Sequence, residues 1–390
     1  MPWKEMCSMS LRTEFVQLCL QDGANVRELC RRFSISGKTA YKWLNRFREG
    51  GLECMGDRSR KPHGSPLQTS ATMESLVLKL RDEHPAWGGR KLRAVLLGRS
   101  VAEVPSASTI TEILRRHGRL DATESRKREA FQRFEHAAPN DLWQMDFKGH
   151  FGLEDHHRCH PLTVLDDHSR FNIGLRACSN EQGETVRQEL TSLFRRYGLP
   201  RRMLMDNGSP WGDDADHPYT PLTVWLLRLN IRVTHGRPYH PQTQGKDERF
   251  HRTFKAEVLA RGSFRTLADC QPRFDPWRDI YNQERPHEAL GMQPPASRYR
   301  ASERTFPESL PPLEYAPDCQ VRKVQQGGQF SLRGREFRVS KAFHGYPLGL
   351  RPTQEDGRWE VFFGWQLLGE IDFQKTQEHV TRICHHPVPD

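Results

Sequence analysis

No apolar run in this 390-residue chain approaches the ~18 residues that a membrane span needs. The first ten residues hold Lys4 and Glu5 but no apolar signal core, so neither a span nor a secretory signal is expected. The nine cysteines are scattered and none forms a C-x-x-C pair, which argues against a disulfide framework and for a reduced, cytoplasmic compartment. No G-x-x-x-x-G-K-[ST] run is present, so no nucleotide cofactor is expected. The first 60 residues lack a His/Cys zinc pattern. A basic excess is nearly missing from the last 255 residues, with 34 Lys/Arg against 33 Asp/Glu. Residues 1–135 hold 25 against 16, and they supply most of the net charge of +10. Mean hydropathy is -0.78. A basic front joined to a near-neutral remainder suggests a polyanion-gripping module attached to something else.

The front reads as short helices. Residues 11–22 place Phe15, Leu18 and Cys19 at helical spacing before Gly23. Asn25 can cap a second helix ending near Phe33, and Ser36 a third running to about Glu49. That third helix carries Ala40, Trp43, Leu44 and Phe47 on one face, and Lys38, Thr39, Lys42, Asn45 and Arg46 elsewhere. The pattern describes a helix-turn-helix over 1–57 whose third helix enters a major groove. Lys38, Thr39, Lys42 and Arg46 are its DNA-contact candidates. Residues 58–70 form a basic linker, with Arg58, Arg60 and Lys61 able to lie in a minor groove. A second helix-turn-helix is expected over 71–120, with Arg90 and Lys91 as DNA candidates and Ser108 as the cap of its last helix. Residues 121–138 read as a charged linker.

From Leu142 the period changes. Trp143, Met145 and Phe147 alternate with Gln144, Asp146 and Lys148, as in a strand. Two more strands follow at Pro161–Asp166 and Phe171–Cys178, then a helix capped by Ser179 and ending at Gly198. A strand at Arg202–Met205, a helix from Thr220-Pro221, a strand at Ile231–Thr234 and a long helix from about Gln242 to Ala260 complete the set. This is the order of a ribonuclease-H-like α/β core, assigned to 139–300. Asp146 on the first strand, Asp206 at the end of the fourth and Glu248 on the long helix are carboxylates that such a sheet can gather. Residues between them number 59 and 41. On the helix, His251, Arg252 and Lys255 share the side of Glu248, and Phe250, Phe254 and Val258 form the core stripe. Asp247 points about 100° from Glu248 and is set aside. Asp166 and Asp167 read as a strand end and a turn cap. His150, His156, His157, Cys159 and His160 match no standard zinc spacing. Residues 318–378 alternate as short strands broken at glycines, suggesting a small β-barrel. The fold class is therefore multidomain: all-α helix-turn-helix modules, an α/β core and a small all-β domain.

The segments WQMDF (143–147), VLDDHSRF (164–171), MDNGSPW (205–211), PYHPQTQGKDERFHRTFK (238–255) and YNQERPHEALGMQPP (281–295) resemble bacterial insertion-sequence DDE transposases of the retroviral-integrase superfamily. The resemblance covers roughly residues 10–300, and includes a Trp-containing insertion after the second Asp (211–229). It implies that Asp146, Asp206 and Glu248 are catalytic and bind two Mg²⁺ ions, with Mn²⁺ able to substitute, and that Arg252 and Lys255 lie near DNA. It also implies binding of terminal inverted repeats, cleavage that frees 3′-OH groups, and their joining to target DNA. The partners are then double-stranded DNA and further copies of the chain, as a homodimer or larger synaptic assembly. The bacterial setting is the cytoplasm, at the nucleoid when DNA is bound. The alternatives are a catalytically silent DNA-binding regulator or relic of an insertion element, and a ribonuclease-H-like nuclease without end specificity.

Overall fold

The computed structural model describes residues 8–58, 68–120, 135–212, 219–236 and 245–375. The chain divides into two units, residues 1–68 and 69–390. Among the described residues no helix is long and apolar enough to cross a membrane.

The first unit is three helices, α1 (Ser8–Cys19), α2 (Val26–Arg32) and α3 (Gly37–Gly50), closed by a 3-10 turn at Gly51–Met55. Asn25 accepts the Arg27 and Glu28 amides, and Ser36 accepts the Thr39 amide, so orphan donors at both helix starts are satisfied. Phe15, Val16, Ala40, Trp43, Leu44 and Met55 form the core.

The second unit opens with α4 (Ala71–Glu83), α5 (Gly89–Gly98) and α6 (Ala107–Arg116) around Val77, Leu80, Trp87, Leu92, Leu96, Ile110, Ile113 and Leu114. Gly89 permits the close crossing: a Cβ there would lie 2.4 Å from the Ala107 carbonyl oxygen. The cap of α6 is Ser106, not Ser108. Ser106 Oγ accepts the Thr109 amide at 3.1 Å, whereas Ser108 already lies inside the first turn.

The core sheet contains β1 (Leu142–Phe147), β2 (Phe151–Gly152), β3 (Arg158–Asp166), β4 (Asn172–Cys178), β5 (Arg202–Met205) and β6 (Arg232–His235). Its order is β4-β3-β1-β5-β6, with β2 extending one end of β3. β1 is antiparallel to β3 and parallel to β5, and β5 is parallel to β6. One face packs on α7 (Gly183–Tyr197) and α8 (Pro221–Arg228) through Trp143, Met145, Leu193, Phe194 and Trp225. The other packs on α9 (Gly245–Glu257) and α10 (Cys270–Gln283) through Leu165, Leu175, Phe250, Phe254, Phe274, Trp277 and Tyr281.

Three details differ from expectation. α7 starts at Gly183 after Gln182, because Asn180, not Ser179, gathers the Gln182 amide and the Thr185 hydroxyl. α9 stops at Glu257, and a 3-10 turn at Leu259–Arg261 takes over. α10 is new: it forms despite Pro276 in its interior, because Phe274, Trp277 and Tyr281 gain a buried face.

Strands β7 (Gln320–Lys323), β8 (Gln329–Leu332), β9 (Arg335–Arg338), β10 (Pro347–Pro352), β11 (Arg358–Phe363) and β12 (Gln366–Asp372) follow. They pair as a four-stranded sheet, β12-β11-β10-β7, and a β8-β9 hairpin. Val224 and Leu227 of α8 join the apolar cluster of these strands.

Candidate active site

The parallel register sets the geometry. Leu142 pairs with Arg202, Trp143 with Met203 and Gln144 with Leu204. Continued two residues past its last pair, and past the end of β5 at Met205, this register leads Asp146 toward Asp206 on strands about 4.8 Å apart, and the Asp206 charge acts on Asp146. Side chains alternate, so Trp143 and Met145 enter the α7–α8 core while Gln144 and Asp146 point to the α9 side. Asp146 is half-buried and Asp206 is exposed at the end of β5. Burial pushes the Asp146 carboxyl up to about 7; an amide hydrogen bond from Phe147 opposes this, and the charges of Asp206 and Glu181 add to it. A carboxyl so destabilised as an anion is suited to meeting a cation.

Across β1, Asp146 pairs with Thr163 of β3. The Thr163 hydroxyl donates to the Asp146 carbonyl oxygen at 2.9 Å, and its oxygen lies 2.8 Å from His251 Nε2. With the hydroxyl proton committed, Nε2–H is the donor from His251. Burial, then the Lys148 charge, pushes His251 down to about 3, so this α9 imidazole is neutral at ordinary pH. It ties the helix to the strand that carries Asp146.

The start of α9 is fixed by ions. Lys246 pairs with Asp167, which is fully enclosed and also accepts the His136 amide at 2.8 Å and Gln144 Nε2 at 2.7 Å. Burial brings the Lys246 ammonium down to about 8, against the pull of Asp167. Asp166 accepts the Asn140 amide and both donors of Ser169. Both carboxylates thus have turn and anchoring partners.

The next residue is a finding that the sequence reading set aside. Asp247 is buried, whereas Glu248 is exposed together with Arg252 and Lys255. Burial, then the charges of Asp146 and Asp167, raises the Asp247 carboxyl well above its ordinary value. The signal was present: Asp247 lies three residues before Phe250 and seven before Phe254, on the buried stripe.

Several DNA candidates have partners within the chain. Arg90 pairs with Glu288 at 3.1 Å, and half-buried Lys91 is brought down to about 8 by burial and by Arg285. Arg90 stays exposed at the surface, with its side chain 72% accessible, whereas Lys91 is drawn in where Ile280 of α10 packs against the α4–α6 apolar cluster. Thr39 Oγ1 lies 3.0 Å from Ser36 Oγ at the α3 cap. Arg46 donates to the Gly56 carbonyl and stacks on Trp43, and Arg58 pairs with Glu49. Lys38 and Lys42 are exposed on α3. Arg60 and Lys61 lie outside the described residues.

Comparison with known proteins identifies the domains along the chain. The integrase core domain matches residues 136–241 and, as a second description of that domain, 229–295. A helix-turn-helix domain matches 11–63, a homeodomain-like domain 39–114, and the IS481 family transposase C-terminal domain 319–379. The chain carries the domains of an insertion-element transposase. It is 28% identical over 250 residues to the insertion element IS476 39.2 kDa protein of Xanthomonas euvesicatoria, covering 62% of this chain and 68% of that one. It is also 28% identical over 168 residues to the IS407 31.7 kDa protein of Burkholderia multivorans, covering 42% and 58%. Similar solved structures include the HTLV-2 integrase catalytic core domain, at 15% identity and a TM-score of 0.33, over 42% of this chain and 99% of that one. The BIV integrase catalytic core domain is 23% identical with a TM-score of 0.32, over 40% and 92%. With its integrase core, this transposase-like chain is of the polynucleotidyl-transferase type.

Proposed function

We propose that the chain is a DNA transposase that binds the terminal inverted repeats of its element, cleaves at their ends and joins the freed 3′-OH groups to target DNA. The observation that carries this reading is the β1–β5 register, which sets Asp146 beside Asp206 at the strand ends facing α9. Asp146, Asp206 and Glu248 are the residues that would hold two divalent cations, Mg²⁺ or Mn²⁺. An all-carboxylate oxygen set suits such hard ions, and the buried oxygens of Asp247, without a hydrogen-bond partner, are donors of the same kind. When bound, the ions supply activation of the attacking oxygen and stabilisation of the leaving oxygen.

The chain's own residues do the rest. Lys38 and Lys42 on α3 grip phosphates at the repeat, and Arg252 and Lys255 on the outer stripe of α9 hold backbone beside Glu248. His251 and Thr163 fix the main chain at Asp146. In the first displacement a water oxygen attacks phosphorus and the P–O bond to the 3′ oxygen breaks, leaving a 3′-OH. In the second that hydroxyl attacks a target phosphodiester, so one P–O bond forms for each one broken. Neither step requires a covalent protein–DNA intermediate. Holding two ends together requires a dimer or larger assembly.

The test uses purified protein, Mg²⁺ and a labelled duplex carrying the repeat that flanks the gene. The expected result is a nick at the repeat's end exposing a 3′-OH. Tight binding without any nick, with paired ends supplied, would point instead to a silent DNA-binding regulator.

A further inference from the structure

Four carboxylates are enclosed around this side of the sheet: Asp166, Asp167, Asp247 and Glu257. Asp166 is satisfied by Asn140 and Ser169, Asp167 by His136, Gln144 and Lys246, and Glu257 by Arg285 and Trp277. Asp247 differs. It is 1% exposed, and neither carboxylate oxygen has a hydrogen-bond partner. Burying such a group without a partner costs several kcal/mol on general grounds, and an apolar residue would fit the Phe250–Phe254 stripe without that cost. The neighbouring ammonium of Lys246 is committed to Asp167. His251, one turn on from Asp247, meets Thr163 opposite Asp146, so Asp247 lies on the helix face turned toward β1 and β3. Among the described residues no three His, Cys, Asp or Glu side chains are already gathered as a metal site, and carboxylate oxygens with open acceptor capacity are the donors a divalent cation would draw together.

We propose that Asp247 is a further oxygen ligand of the divalent-cation site formed by Asp146 and Asp206. α9 then offers two successive carboxylates, Asp247 from the sheet side and Glu248 from the rim. The inference rests on the metal-dependent reading above, and its test separates the two.

Mn²⁺ binding to the purified full chain is followed by the loss of free-ion electron paramagnetic resonance signal. The proteins compared are the wild type, Asp146→Asn, Asp247→Asn, Asp247→Leu and Glu248→Gln. Asp247→Leu fills the apolar stripe and guards against an Asn variant that fails to fold; circular dichroism checks each. The expected result is Mn²⁺ affinity at least about tenfold weaker in Asp146→Asn and in both Asp247 variants. Without Mn²⁺, the Asp247 variants should melt no lower than the wild type, since the unpartnered carboxylate is gone. Wild-type affinity in a folded Asp247 variant, beside loss in Asp146→Asn, would overturn the inference and leave the metal reading standing. Wild-type affinity in Asp146→Asn would overturn both.

Discussion

The two halves of the candidate site are built on different principles. The sheet half, Asp146 and Asp206, is positioned through its main chain: the β1–β5 register runs toward both residues, Thr163 donates to the Asp146 carbonyl oxygen, and His235 Nδ1 lies 2.9 Å from the Asp206 carbonyl oxygen. The helix half is positioned by side chains. Lys246–Asp167 fixes the start of α9, His251–Thr163 its middle, and Glu257 with Arg285 and Trp277 its end. Backbone register tolerates substitution at the site, because the ladder does not depend on what the side chain is. A helix held by buried polar contacts does not, so changes in the helix half should be felt as stability and those in the sheet half as chemistry.

The largest expected effect is therefore in the sheet half. Asp146→Asn or Asp206→Asn should each lower cleavage by at least about a thousandfold while leaving the melting temperature and binding to the repeat near wild type. Equal losses of folding and activity would break the contrast. In the helix half, Glu257→Ala leaves Arg285, 9% exposed at its side chain, without its carboxylate. It should cost about 3–5 kcal/mol in urea denaturation. A cost below about 1 kcal/mol would mean that α9 is held by its apolar stripe alone.

A smaller effect comes from His287, beside Arg285. Burial, then the charges of Arg285 and Lys91, pushes its imidazole down to about 3, below the ordinary 6.5. It is neutral when folded, so its stabilising share is present above about pH 6.5 and is lost as pH falls from there toward 3. Between pH 7.5 and 5.5 the wild type should lose about 1 kcal/mol more than His287→Phe, read from paired denaturation curves. Identical pH dependence would show that His287 titrates as if in solvent.

The same contrast explains what could be read from the sequence. Strand alternation at Trp143–Phe147, the short Arg202–Met205 strand and the caps Asn25 and Ser36 are local signals, and the structure follows them. Long-range partners were not legible. Arg90 is surface charge, but its ion pair is hidden in the sequence because Glu288 lies 198 residues away. α10 was hidden by Pro276, whose local penalty is outweighed by burial of Trp277 and Tyr281. Asp247 is set aside in the sequence because it points about 100° from Glu248, and that same rotation carries it onto the buried side of α9. The stripe spacing from Phe250 and Phe254 was enough to place it.

In the proposed function Asp146 and Asp206 share a divalent cation. The most direct measurement is anomalous diffraction from crystals of the transposase-like chain grown with Mn²⁺. An anomalous peak is expected between the Asp146 and Asp206 carboxylates, lost in Asp146→Asn crystals. A folded, Mn²⁺-soaked protein with no peak there, or with one that survives Asp146→Asn, would contradict it.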